Sequence, residues 1–184
     1  MLAGGRDPMI CRIKLAWWRD ALEALGEAPP PGEPVLRALM TEVLPRGITG
    51  TELAAMEEGW TLLLSEEPLT KAELHRYAFA RGGLVFRFSA RILGGLGGEQ
   101  VELGGEAWAL ADLARHIGSK SECDAALEAC RARVRSERWP ARLRPLGMLA
   151  ALAARDAQPR GDGLEVPGSP RRMLRMLRHR VSGF

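Results

Sequence analysis

Residues 8–22 read PMICRIKLAWWRDAL, and this stretch decides the expected fold. Its apolar side chains recur at intervals of three and four residues, which is the spacing of one face of an α-helix. Lys14 falls near the middle of this apolar arc, beside Trp18. The arc itself consists of Ile10, Ile13, Trp17, Ala21 and Ala24. Because the arc is wide, the helix is expected to need neighbours on more than one side.

Helical periodicity continues along the rest of the chain, whereas the alternating Val-, Ile- and Thr-rich runs that are typical of strands do not occur. Proline and glycine breaks divide the chain into about eight helices. These helices are expected near 9–25, 33–44, 51–65, 70–93, 99–117, 121–139, 141–156 and from 169 onward. The sequence therefore predicts an all-α bundle that forms a single domain over residues 1–184.

The composition argues against a membrane-spanning or secreted protein. Apolar runs are only a few residues long, far below the roughly 20 that cross a bilayer, and the amino end lacks a secretory signal pattern. A cytoplasmic location is expected. Cys11, Cys123 and Cys130 form no CxxC pair, and no nearby histidine completes a zinc spacing. The three thiols are therefore expected to be reduced and structural.

Positive charge is concentrated near the carboxyl end. Residues 131–184 carry 13 arginines and four acidic side chains, while residues 1–130 carry 13 basic and 19 acidic ones. Such a basic segment suits an anionic membrane, a nucleic acid or an acidic partner, and a solvated helical surface is the simpler interpretation. Nucleic acid is not favoured as a partner, because only 5% of the residues are aromatic and few could stack on bases.

The carboxy-terminal part is predicted to contain a loop over 157–168 and a basic amphipathic helix over 169–184. Ser169 followed by Pro170 is a typical start of a helix. An apolar stripe along this helix is expected to dock on the protein's own core, and peripheral contact with a membrane is the alternative. The stripe consists of Met173, Leu174, Met176 and Leu177.

Several polar residues are expected to point inward. Arg81 lies at the centre of the apolar face of the fourth helix, so it should meet an acid such as Asp112, line a polar cavity or extend to solvent. One face of the fifth helix combines small residues with Trp108, Asp112 and Arg115, which suits a cavity wall. An ordinary pair between Asp112 and Arg115 is the alternative. The cavity candidates are Lys14, Trp17, Tyr77, Arg81, Trp108, Asp112 and Arg115.

Residues 8–22 resemble the signature stretch that follows the first aspartate-rich helix of the squalene/phytoene synthase family. Residues 33–39, 77–83 and 108–116 resemble, in the same order, the family's next short helix, its tyrosine-containing helix and the helix of its second aspartate motif. The resemblance covers most of the chain from Pro8 onward. It implies an isoprenoid-synthase fold that lacks the amino-terminal helices.

The family joins two prenyl diphosphates head to head, and its two aspartate motifs hold the Mg²⁺ ions that neutralise the leaving group. Neither motif is intact here. Asp7 is the one acidic residue before Pro8, and the Arg-Asp dipeptide that is usual in the second motif is replaced by Arg115-His116. Asp112 is a weak remnant of a metal site, so no cofactor is expected. The resemblance therefore implies a degenerate member that binds an apolar or isoprenoid ligand or a partner protein, like the branch containing the mitochondrial complex I assembly factor.

Two further expectations follow from the resemblance. An active prenyl transferase using Mg²⁺ is the alternative function, with the missing acids supplied by an upstream segment or a partner subunit. The missing amino-terminal helices would leave the face of Trp17 uncovered, and an apolar patch of that size tends to find a partner. A homodimer, a partner protein or the segment Ser169–Val181 is expected to cover it.

Overall fold

The computed structural model describes residues 7–28, 32–158 and 163–184. Across these three ranges the regular structure is helical and no strand is formed. The prediction of an all-α fold is confirmed. Contacts group the chain into two compact units, Met1–Glu67 and Pro68–Phe184. The expectation of one domain over residues 1–184 stays a prediction.

In the described part of the first unit, one longer α-helix is accompanied by three shorter ones. They are α1 (Pro8–Glu23), α2 (Pro34–Ala38), α3 (Gly50–Ala54) and α4 (Glu57–Leu62). Helix α1 starts where the sequence predicts, because the Asp7 carboxylate accepts a hydrogen bond from the Met9 amide at 2.8 Å. Helices α3 and α4 both pack against α1. Despite these contacts, no residue of α1 is buried.

The second unit contains the other α-helices and a π-helical turn. They are α5 (Lys71–Ala78), a π-helical turn (Phe79–Gly83), α6 (Leu84–Ile92), α7 (Glu99–His116), α8 (Lys120–Arg133), α9 (Arg144–Asp156) and α10 (Pro170–Ser182). Helix α5, the π-helical turn and α6 form the continuous run that was predicted near 70–93. Its start is fixed by a capping box between Thr70 and Glu73.

Helix α7 lies at the centre of the second unit and contacts α5, the π-helical turn, α6, α8 and α9. Its closest approach is to the π-helical turn, where a Cβ on Gly105 would overlap the carbonyl of Gly82, and the reverse also holds. Only glycine permits this backbone contact. A hydrophobic cluster beside α7 consists of Phe86, Ala90, Val101, Trp139, Leu143 and Leu146.

The helix predicted near 121–139 is shorter than expected, since α8 ends at Arg133 and Val134 is extended. The following segment places the Trp139 side chain in the core, where it is 5% exposed. The Trp139 amide also donates to the Gly183 carbonyl at 2.9 Å. Pro140 disfavours a helical conformation at Trp139 as well. These tertiary contacts, together with Pro140, end the helix early.

The apolar stripe of α10 does not dock as predicted. Met173, Leu174 and Leu177 are 52%, 68% and 56% exposed, so the docking prediction is wrong for these three residues. Helix α10 packs on α9, and it buries His179 while Arg172 reaches the Asp156 carboxylate. A buried carboxylate is costly unless it is paired with a cation. The pairing of Arg172 with Asp156 therefore determines which face of α10 turns inward, and the apolar stripe stays exposed. In the described part of the chain, no helix is both long and apolar enough to cross a bilayer.

Candidate functional site

The predicted site residues belong to different units. Lys14 and Trp17 lie on α1 in the first unit, where Lys14 is exposed and Trp17 is 44% exposed. The Trp17 and Trp18 rings meet edge to face, with centroids 5.2 Å apart. The other five residues lie in the second unit. The shared role of the seven residues stays a prediction.

Tyr77, Arg81, Trp108 and Asp112 form a cluster at the contact of α5, the π-helical turn and α7, which we call the Tyr77 cluster. The Tyr77 side chain is 2% exposed, and burial raises the pKa of Tyr77 to about 12. Arg81 lowers this pKa and Asp112 raises it, so both charges act on the same hydroxyl. Tyr77 is therefore protonated at neutral pH and can donate a hydrogen bond.

Arg81 has a partner that the sequence did not suggest. Its guanidinium lies over the Trp108 ring, 5.0 Å from the centroid. A cation in this position is stabilised by about 0.5–2 kcal/mol. The π-helical turn carries Arg81, and such turns often occur at functional sites because they alter the helical register locally. Pairing of Arg81 with Asp112 stays a prediction.

Asp112 has a histidine one turn away. Its side chain is 39% exposed, and the His116 Nδ1 atom lies 3.7 Å from its Oδ1 atom. The same Nδ1 atom is 2.7 Å from the Asp112 backbone carbonyl. Within the described ranges, no group of three or more His, Cys, Asp or Glu side chains could hold a metal ion. One carboxylate beside an imidazole is also a poor fit to Mg²⁺, which prefers several oxygen ligands.

Arg115 pairs with Asp156 instead of with Asp112, which corrects the simpler interpretation of the α7 face. Its Nε and Nη2 atoms donate to the two Asp156 oxygens at 3.1 and 2.7 Å. Its Nη1 atom donates to the Glu165 carbonyl at 2.9 Å. Asp156 is only 5% exposed, so this two-pronged bond to a buried carboxylate outweighs a pair with the half-exposed Asp112.

Sequence reasoning missed the acidic residues that organise this side of the unit. Asp156 also accepts from Arg172 on α10, while Glu165 accepts from Arg155 and from Ser169, both at 2.6 Å. We call these residues, with Arg115, the Asp156 network. The position of Asp156 in the last turn of α9 could have indicated this network. A negative charge there is unfavourable towards the helix dipole, so a nearby cation is expected to pair with it.

A small cavity lies between the Tyr77 cluster and the Asp156 network, and we call it the Asp112 cavity. Its volume is about 160 Å³, below the roughly 300–1,000 Å³ of typical small-molecule pockets. The lining comprises Trp108, Ala111, Asp112, Arg115, Leu149, Leu152, Ala153, Asp156 and Arg172. Three of the predicted site residues therefore do border a cavity.

Comparison with known proteins gives one match. The family model described as Squalene/phytoene synthase matches residues 3–123. No curated protein and no solved structure shows significant similarity to the chain. The matched range includes α1 and α7, and it ends within α8. Asp156 and Arg172, which pair with each other in the Asp156 network, lie outside it.

Proposed function

Because the chain belongs to the squalene/phytoene synthase family, whose members are prenyl transferases, we propose that it is a catalytically degenerate member that acts by binding. The family prediction made from residues 8–22 is confirmed, and the all-α architecture agrees with the isoprenoid-synthase-like fold that the family implies. Similarity to the assembly-factor branch and a cytoplasmic location remain parts of the proposal.

The side chains around Asp112 carry this proposal. Condensation of prenyl diphosphates requires carboxylate clusters that hold Mg²⁺ against the diphosphate. Here the residue one helical turn from Asp112, which could have supplied a second carboxylate, is His116. Arg115, which could otherwise contact a diphosphate, is bound to the buried Asp156. The Arg115–Asp156 pair joins α7 to α9. Asp156 also lines the Asp112 cavity, but its carboxylate accepts from Arg115 and Arg172 and is therefore poorly placed to form a metal-binding pair with Asp112.

The binding function is supported by the first helix. Met9, Ile10 and Ile13 are 68%, 50% and 63% exposed, and Trp17 lies on the same helix. Exposed apolar side chains on one helix are typical of a protein interface. The Asp112 cavity is small for an isoprenoid chain, so protein association through α1, with a second copy or with another protein, is the favoured binding mode.

The test is a condensation assay with the purified chain, farnesyl diphosphate and Mg²⁺. We expect no diphosphate release and no condensed product. We also expect Mg²⁺ to add less than about 1 °C to the Tm measured with a diphosphate analogue alone, because a metal that stabilises the folded state must bind it tightly.

His116→Asp provides the matched gain-of-function control, since it places a second carboxylate one helical turn from Asp112. This variant is expected to show a larger Mg²⁺-dependent rise in Tm than the original chain, and Asp112→Ala added to it should remove the difference. Product formation by the original chain, or a large Tm shift that Asp112→Ala abolishes, would show that the proposal of degeneracy is wrong.

A further inference from the structure

A second cavity of about 430 Å³ lies in the second unit, among residues of α7, α8, α9 and α10. We call it the arginine cavity. None of its lining residues lines the Asp112 cavity. Five arginines and one acidic residue, Glu137, border it. The arginines are Arg131, Arg133, Arg135, Arg175 and Arg178.

Most of this positive charge is not neutralised by the protein. Arg133 pairs with the Glu106 carboxylate. Arg131 and Arg135 donate to backbone carbonyls, at 3.0 Å to Ala157 and 2.9 Å to Ala132. Among the described residues, no carboxylate lies within ion-pair distance of any lining arginine except Arg133. Arg131, Arg135 and Arg178 are exposed, so solvent screens part of their mutual repulsion, whereas Arg175 is partly buried. An anion between these guanidinium groups would still be stabilised.

Buried polar atoms around the arginine cavity point to the same conclusion. In the described part of the chain, His179 is 2% exposed, and its ring interacts with the Phe184 backbone at the cavity. The Nε atom of Arg175 and the Nε2 atom of Gln100 are buried without a hydrogen-bond partner among the described residues. An unsatisfied buried donor costs about 1–3 kcal/mol. Both Arg175 Nε and Gln100 Nε2 are donors, so the matching ligand is an acceptor.

The apolar part of the lining consists of glycines and alanines on α7 and α9 together with the rings of Trp139 and Phe184. Ser136 and Gln158 also line the cavity. The volume lies within the range of small-molecule pockets. A cavity lined by both arginines and alanines suits an anion that carries an apolar group.

We propose that the arginine cavity binds a small organic phosphate, with the phosphate group against the arginines and the apolar group against the alanine-rich wall. A phosphate dianion offers three acceptor oxygens and matches the forked guanidinium geometry of several arginines at once. A carboxylate would neutralise only one of the four charges. Neither Asp112 nor any residue of α1 lines the cavity, so the proposal does not depend on the proposed function.

The test is calorimetric titration of the full chain with phenyl phosphate, inorganic phosphate and benzoate. Phenyl phosphate is expected to bind with a Kd below about 1 mM, and at least about tenfold more tightly than the other two. Inorganic phosphate lacks the apolar group and benzoate lacks the dianion. Equal affinity for benzoate, or no binding of phenyl phosphate at several millimolar, would overturn the proposal.

Variants on α10 locate the binding. Arg175→Met is expected to weaken phenyl phosphate binding by about tenfold or more. Arg171→Met is the matched control, because Arg171 is exposed on the same helix and does not line the cavity. It should change the Kd less than about twofold. An equal loss in both variants would place the phosphate outside the cavity and overturn the proposal.

A second variant and a second readout cover the case in which Arg175→Met does not fold. Arg178 is exposed at the rim, so Arg178→Met should keep the fold and weaken binding by about threefold or more. In the original chain, phenyl phosphate should shift the NMR signals of the His179 ring while those of the distant His116 stay unchanged. A His179 ring that does not respond at saturating ligand would contradict the site.

Discussion

At the scale of single residues, burial determines the chemistry of Cys130. The side chain is fully buried, and its Sγ atom donates to the Ala107 carbonyl at 3.3 Å. Burial raises the pKa of Cys130 to about 12, and the nearby Asp156 carboxylate adds to this shift. Since the thiolate is the reactive form, Cys130 is expected to be inert at pH 8 in the folded protein.

Titration with a thiol-reactive disulfide reagent at pH 8 tests this expectation. Cys11 and Cys123 are partly exposed and should react in the native protein, whereas Cys130 should react only after unfolding in denaturant. Cys130→Ala should leave the native signal unchanged and reduce the denatured signal by one thiol. Rapid reaction of all three thiols in the native state would contradict the buried position of Cys130.

Helical periodicity identified two inward-facing arginines but not their partners, and it was wrong for Lys14, which is exposed. Arg81 and Arg115 were predicted from their positions on helical faces, and both are in fact partly buried. The partner of Arg115 is Asp156, which lies 41 residues further along the chain on another helix. Such a pairing depends on how two helices pack, and no local pattern in the sequence carries that information.

At the scale of elements, the contact between α7 and the π-helical turn limits side-chain size. A Cβ on Gly105 would overlap the Gly82 carbonyl oxygen, which is backbone and cannot move aside cheaply. Gly105→Ala is therefore expected to lower the free energy of unfolding by about 1–3 kcal/mol, although alanine favours a helix more than glycine does. Urea unfolding followed by circular dichroism measures this change.

Gly118→Ala is the control for this prediction, because a Cβ at Gly118 would meet no atom within 4 Å. Its effect should stay within about 0.5 kcal/mol. If Gly105→Ala and Gly118→Ala had equal stability, the close backbone approach of α7 to the π-helical turn would be wrong.

Local signals predicted where helices begin better than where they end. The capping box of Thr70 and Glu73 involves only neighbouring residues, so the sequence alone locates the start of α5. The end of α8 depends on Trp139, whose side chain enters the core and whose amide bonds to Gly183. The orientation of α10 likewise depends on Asp156. Both outcomes come from contacts between distant segments.

At the scale of the whole molecule, many of the carboxy-terminal arginines face the protein rather than a partner. Arg172 pairs with Asp156, and Arg144 donates to the carbonyls of Arg180 and Val181 at the end of α10. Others border the arginine cavity. The charge asymmetry of the sequence was interpreted as a surface property, since composition does not show which side of a helix turns inward. In the second unit part of this charge contributes to helix packing, while Arg171, Arg178 and Arg180 lie exposed on α10.

Exposed apolar side chains remain on two helices, and they lead to a prediction about association. On α1 they include Ile10, Ile13 and Trp17, and on α10 they include Leu174 and Leu177. We expect α1 to mediate self-association, because its exposed set includes a tryptophan, a residue type that is enriched in interface cores. On α10 the exposed apolar side chains alternate with arginines, whose charges oppose close packing of two copies.

Sedimentation velocity over a range of protein concentrations tests this expectation. The original chain should sediment as a dimer at micromolar concentration, and Trp17→Glu should shift the equilibrium towards monomer by at least about tenfold in Kd, since it would bury an unpaired charge in the interface. Leu177→Glu is the matched control on α10 and should leave the dimer unchanged. If Leu177→Glu alone dissociated the dimer, the interface would lie on α10. If the original chain were a monomer at every concentration, the apolar face of α1 would have to serve a different partner protein.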